Sequence, residues 1–64
     1  MKLNLKTRSN GSTYQIKDIE LPVVPRKGEK IVDSSTMYQV KDVVYSIEVI
    51  DIIVEPVPLP HTLN

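Results

Sequence analysis

The sequence predicts an all-β fold, and its composition and apolar pattern both indicate this. Val and Ile make up sixteen of the 64 residues, whereas Ala, the best helix former, is absent along with Phe, Trp and Cys. Segments in which apolar and polar residues alternate are separated by short polar turns. We therefore expect a small, strongly bent five-stranded sheet or a partly open barrel.

The length of the chain limits its stability. A domain of 64 residues buries only about 60% of the surface that its unfolded chain exposes. Without cysteine it has no disulfide or thiolate–metal crosslink to add. Good packing or self-association must supply the remaining stability.

The first two predicted strands form a hairpin. Residues 1–6 alternate in the period-2 pattern of a half-buried strand. Asn10-Gly11 follows, and this pair favours a tight hairpin turn because both residues accept positive φ at low cost. In the returning strand the apolar residues move from even-numbered to odd-numbered positions across Lys17-Asp18. This change of parity predicts a β-bulge or bend.

A connector and a short strand come next. Residues 21–29 contain two prolines, which remove ladder donors, and Lys27-Gly28 is typical of a turn. Residues 30–32 predict a short strand, and the polar segment 33–36 predicts a turn.

The most apolar stretch, residues 38–54, supplies most of the predicted core. Its first strand repeats the change of parity, now across Lys41-Asp42, and the chain then turns somewhere within residues 46–49. The last strand is predicted for residues 50–55. Its segment 52–54 is apolar on both faces, which is typical of a central or barrel-closing strand.

Prolines mark the end of the predicted domain. Pro56, Pro58 and Pro60 predict that a single β domain covers residues 1–55 and that residues 56–64 form an extended, polyproline-II-like C-terminal tail. We expect Leu59 and Leu63 to anchor this tail on a neighbouring subunit, because an apolar tail otherwise has no explanation.

The residue types argue against catalysis. His61 is the only histidine and lies in the tail, so it has no partner for a nucleophile–base pair or a metal site. The chain is also too small to form a good pocket for a small-molecule substrate. We expect a non-enzymatic protein without a cofactor or metal.

No targeting or membrane segment is predicted. Residues 1–6 lack the apolar run of a signal peptide. The apolar stretch 43–54 is too short to cross a bilayer and contains Glu48 and Asp51. We expect a cytoplasmic protein.

Charge is divided between the two halves of the chain. Residues 1–30 carry a net charge of +4 and residues 31–64 carry −4. Oppositely charged strands lying side by side in one sheet would explain this, each charge being screened by water and salt. A molecule with one basic and one acidic face, suited to head-to-tail association, is the alternative.

A six-residue motif occurs twice, 24 positions apart. Tyr14 and Tyr38 each begin a segment Tyr-Gln-(Ile/Val)-Lys-Asp-(Ile/Val). The repetition indicates either two return strands that solve the same packing problem or a paired aromatic stacking surface. Together with Arg26, Lys27 and Lys30, such a surface could bind nucleic acid, as small barrels often do.

Residues 21–54 resemble a loose pattern found in short bacterial and phage proteins. The segment Pro25-Arg26-Lys27-Gly28-Glu29 leads into a short strand and then into a Tyr-x-Val-x-x-Val strand, here Tyr38, Val40 and Val43. This fold-level resemblance implies a small SH3-like barrel and carries over no functional residues. Residues 33–36 replace a glycine turn of that pattern with a turn that lacks glycine.

These observations favour a non-enzymatic structural or adaptor module of bacterial or phage type that acts through protein–protein contacts and self-associates. The candidate self-association residues are Ile52, Val54, Leu59 and Leu63. A small nucleic-acid-binding β-barrel is the alternative. A peptide-binding SH3-like domain is a second alternative, although three tyrosines and no Trp suit an aromatic-lined groove poorly.

Overall fold

The computed structural model describes residues 1–58 and places them in one five-stranded sheet. The strands are β1 (Lys2–Ser9), β2 (Ser12–Glu20), β3 (Lys30–Asp33), β4 (Thr36–Tyr45) and β5 (Ile50–Val57). No helix is present among these residues. The predicted all-β class and the small bent sheet are confirmed.

The strand order is β2-β1-β5-β4-β3. Neighbouring strands are antiparallel except for β1 and β5, which run parallel from the pair Asn4 and Asp51 to the pair Thr7 and Val54. β5 therefore has a partner on both sides, as its apolar segment 52–54 predicts for a central strand.

Two tight turns join the hairpins. Asn10 and Gly11 both have positive φ, 53° and 79°, in the turn between β1 and β2. This backbone matches the right-handed twist of a hairpin, and Asn-Gly adopts it at low cost. The turn between β3 and β4 also contains a residue with positive φ, Ser34 at 57°.

Both predicted bulges are present. In β4, Lys41 is the extra residue between the pairs Val40–Val54 and Asp42–Ile53, where the sequence places it. In β2 the extra residue is Ile16, which lies just before the predicted position Lys17-Asp18. Bulges increase the local twist of a strand, so two of them help this small sheet to bend.

The inner face of the bent sheet holds the core. The buried cluster comprises Leu3, Leu5, Ile31, Tyr38, Val40, Ile52 and Val54. Leu21 and Val24 of the connector between β2 and β3 pack against it. Ile53 is also buried, but it lies outside this cluster, on the outer face level with Lys6 and Asp42.

The last strand ends two residues later than the sequence predicts. Pro56 and Val57 belong to β5 and lie opposite Tyr38 and Met37 of β4. Proline is tolerated here because the pairing of β5 with β1 ends at Val54, so β5 has only one neighbouring strand at this point. The predicted tail from residue 59 onward lies outside the described residues.

The sheet is not closed into a barrel. No Cα atom of β2 lies within 8 Å of a Cα atom of β3, although these are the two edge strands. A single ion pair joins the edges, with Lys17 Nζ 2.8 Å from Asp33 Oδ2. The fold is thus a bent sheet with an open side between β2 and β3.

Candidate interaction surfaces

Most of the large apolar side chains that remain exposed are concentrated in two places. Four of them lie in residues 44–49, which we call the β4–β5 tip: Val44, Tyr45, Ile47 and Val49. Two more, Val23 and Val32, line a groove beside β3. Contiguous exposed apolar surface on a small protein commonly marks a contact site.

The β4–β5 tip is held by two hydrogen bonds to one carbonyl group. The Ser46 backbone N–H and the Ser46 hydroxyl both donate to the Val49 oxygen, at 3.0 and 2.8 Å. These bonds close the turn without Gly, Pro or Asn. Ile47 is fully exposed and Tyr45 is 68% exposed, so the turn presents its apolar side chains to solvent.

The groove, which we call the β3-edge groove, runs between β3 and the connector that follows β2. Its lining residues are Leu21, Pro22, Val23, Pro25, Gly28, Glu29, Lys30, Ile31 and Val32. One wall is fixed because Leu21 exchanges backbone hydrogen bonds with Met1, at 3.0 and 2.8 Å. The other wall is the outer edge of β3, which has only β4 as a neighbour.

A tight turn at one end of the groove carries basic residues. The Glu29 N–H donates to the Arg26 carbonyl at 3.0 Å, and the Arg26 N–H donates to the Glu29 carboxylate at 2.6 Å. Gly28, at φ 93°, supplies the left-handed residue of the turn. The turn is tied to β4 because Gly28 donates to the Val40 carbonyl and Val40 donates to the Glu29 carbonyl, both at 2.8 Å.

Ion pairs engage five of the eight Lys and Arg side chains. The side-chain pairs are Lys2–Asp18, Lys6–Asp51, Arg8–Asp42, Lys17–Asp33 and Lys41–Glu55. Among residues 1–58, the basic residues without an acidic partner are Arg26, Lys27 and Lys30, all of them exposed. Lys30 lines the β3-edge groove, and Arg26 and Lys27 lie in the turn at its end. The charge that the fold leaves uncompensated is therefore basic at this groove.

The ion pair between β2 and β3 raises the pKa of Lys17 above its ordinary value of 10.5. The main cause is the hydrogen bond that the Lys17 ammonium donates to the Asp33 carboxylate, and the negative charge of Asp33 adds to it. Lys17 consequently stays charged throughout the neutral range and spans the open side of the sheet.

The two tyrosines of the repeated motif do not form a shared surface. Tyr14 is 54% exposed on the edge strand β2, whereas Tyr38 is buried in the core opposite Ile31. The motif therefore occurs in two different environments. A stacking surface that pairs these two rings is not formed, because β4 is an inner strand and β2 is an edge strand.

Two of the predicted self-association residues lie in the core and not on the surface. Ile52 and Val54 are 0% and 1% exposed, since β5 is the central strand and both side chains lie on its inner face. They belong to the core of their own chain and are not accessible to a second copy. Leu59 and Leu63 lie outside the described residues.

Sequence reasoning missed the β4–β5 tip. The signal was present, because Ile47 stands within a predicted turn, where an apolar side chain has no core to enter. Tyr45 and Val49 flank it at alternate positions, which continues the apolar pattern of β4 into the turn.

Neither a metal site nor a membrane-spanning helix is found within residues 1–58. No three His, Cys, Asp or Glu side chains of this part of the chain come together as metal ligands would. None of its segments forms a helix long and apolar enough to cross a membrane. No family model, curated protein or solved structure matches the chain.

Proposed function

We propose that the protein is a non-enzymatic structural or adaptor module that acts through protein–protein contacts and self-associates. The observation that carries this proposal is the concentration of exposed apolar side chains at the β4–β5 tip and the β3-edge groove. A bacterial or phage origin and a cytoplasmic location, both expected from the sequence, stay predictions.

The buried core of the chain is small. Seven side chains form the buried cluster, while the apolar side chain of Ile47 at the tip is fully exposed to solvent. Burying apolar surface stabilises a contact by about 25 cal/mol per Å². A partner that covers the tip therefore supplies stability that the isolated chain does not have.

The test is the absolute mass in solution, measured by light scattering after size exclusion at low and high salt. We expect a mass above that of one chain, rising with protein concentration. Dissociation in high salt would assign the contact mainly to charged groups, and persistence would assign it to apolar side chains. A monomer in both buffers at all concentrations would contradict self-association.

A second candidate function is nucleic-acid binding, which one observation favours. Arg26, Lys27 and Lys30 lie together, exposed and without acidic partners among the described residues. Cations placed in this way attract phosphate groups and make binding salt-dependent. The anisotropy of a labelled oligonucleotide tests this, and no binding at low salt would remove the candidate.

Recognition of a peptide in the manner of an SH3 domain has less support. That mode requires a groove lined by aromatic rings. None of the three tyrosines is among the described residues that line the β3-edge groove.

A further inference from the structure

We infer that the β4–β5 tip of one copy docks into the β3-edge groove of a second copy. This inference rests on the proposed function and names the partner: the chain itself, associated head to tail. The tip and the groove are different surfaces of one chain, and their apolar content and charge are complementary.

The apolar parts match. The tip offers Tyr45, Ile47 and Val49, whose side chains are 68%, 102% and 45% exposed. The groove offers apolar walls, formed by Leu21, Pro22, Val23, Ile31 and Val32. Ile47 is the anchor, because its whole side chain is available for burial and docking would remove its surface from water.

The charges match as well. Glu48 lies beside Ile47 in the tip, and no ion pair within residues 1–58 engages it. Lys30 and Glu29 line the groove, and the turn at its end adds the exposed cations Arg26 and Lys27. The Glu29 carboxylate accepts the Arg26 N–H. Near the tip, Lys2 and Asp18 face Glu48 and Val49 across a small cleft, but they pair with each other at 3.7 Å.

The tip lies far from the β3 wall of the groove in its own chain. β3 lies beside residues 36–39 of β4, whereas the tip begins at the far end of the same strand. Tyr45 lies six residue steps along the strand from Gln39, which is about 20 Å at 3.3 Å per residue. A tip that contacts the β3 wall therefore belongs to a second copy. Such a contact leaves one free tip and one free groove, so that it continues to a ring or a filament.

The open sheet edges favour a side-chain contact of this kind over pairing of strands. β2 carries Lys17, Asp18 and Glu20 along its length, and β3 is only four residues long. Charged side chains and short edge strands oppose the addition of another strand. A contact made by side chains of the tip and the groove does not require the addition of a strand.

Two complementary variants test the inference. Ile47→Ser removes the anchor from the tip but leaves the groove intact, and the double variant Lys27→Glu with Lys30→Glu reverses the charge of the groove but leaves the tip intact. We expect each variant alone to lower the apparent association constant by roughly tenfold or more. Tyr14→Ser, which removes an exposed side chain on β2 away from both surfaces, is the matched control and should associate like the unaltered chain.

Mixing the two variants gives the decisive result. The groove of the Ile47→Ser chain and the tip of the charge-reversed chain remain compatible, so the mixture should form a dimer with one copy of each and grow no further. Light scattering measures the mass, and circular dichroism on heating confirms that each variant is folded. Two variants that are monomeric alone and also monomeric when mixed would overturn the head-to-tail contact.

The remaining outcomes separate this inference from the proposed function. If the unaltered chain associates and both variants associate equally well, the contact lies elsewhere, so the inference fails and the proposed function stands. If the unaltered chain is a monomer up to about 1 mM, a concentration at which even weak contacts form, both fail.

Discussion

At the scale of single residues, one ion pair differs from the others in its burial. Lys6 Nζ lies 3.2 Å from Asp51 Oδ2, and the two side chains are only 28% and 19% exposed. The second oxygen of Asp51 is buried without a hydrogen-bond partner in the structure. Lys6 is therefore the group that compensates a largely buried carboxylate, and its loss would leave that charge unpaired.

We expect Lys6→Met to destabilise the domain by about 1–3 kcal/mol, because a buried acceptor then lacks its donor. Lys41→Met is the control, since Lys41 pairs with Glu55 in an exposed position and its loss should cost less than about 1 kcal/mol. Chemical denaturation of both variants measures the difference. Equal losses of unfolding free energy would contradict the argument.

The Lys17–Asp33 ion pair has a defined pH dependence. Because folding raises the pKa of Lys17 above 10.5, the stabilisation is fully present below that value and is lost as the pH rises through the folded pKa. The pair is exposed to solvent, so screening keeps its contribution small.

We expect Asp33→Asn to bring the pKa of Lys17 back towards its ordinary value, which an NMR titration of the lysine side chain measures. Lys41 serves as the internal reference, since its partner Glu55 is unchanged in this variant. An unchanged Lys17 titration in Asp33→Asn would show that Asp33 is not the cause.

At the scale of elements, the first hairpin depends on the backbone of its turn. Gly11 has φ 79°, and a Cβ atom placed there meets nothing within 4 Å, so only conformational strain opposes a side chain. Gly11→Ala should therefore destabilise the domain by about 1–2 kcal/mol. Asn10→Gly is the control, because glycine also accepts positive φ and the change should cost at most a few tenths of a kcal/mol.

Thermal unfolding of Gly11→Ala and Asn10→Gly measures the loss of stability in each variant. A larger loss for Asn10→Gly than for Gly11→Ala would indicate that the Asn10 side chain, and not the backbone conformation, determines the turn.

The elements were largely predictable from the sequence because their causes are local. Asn10-Gly11 specifies a turn, and a change of parity specifies a bulge, as at Lys41. The parallel pairing of β1 with β5 was not predictable, because it depends on strands more than forty residues apart. The exposure of Tyr14 and the burial of Tyr38 depend on the order of strands in the sheet, since their two similar motifs lie on an edge strand and on an inner strand.

At the scale of the whole molecule, the structure accounts for the division of charge along the chain. Basic residues of the N-terminal half pair with acidic residues of the C-terminal half, as in Lys6–Asp51 and Arg8–Asp42. These ion pairs neutralise most of the opposite charges of the two halves within the sheet. This agrees with the interpretation that oppositely charged strands lie side by side. The cations at the β3-edge groove and Glu48 at the tip remain, and these separated charges support the head-to-tail contact.

The most direct test of the contact is the amide NMR spectrum of the unaltered chain, recorded over a dilution series up to about 1 mM. We expect the amides of Ile47 and Glu48 to shift together with those of Lys27 and Val32, with one common midpoint, while Tyr14 stays unchanged. Shifts confined to one of the two surfaces, or centred on β2, would contradict the contact between tip and groove. A spectrum that does not change with concentration would contradict self-association as well.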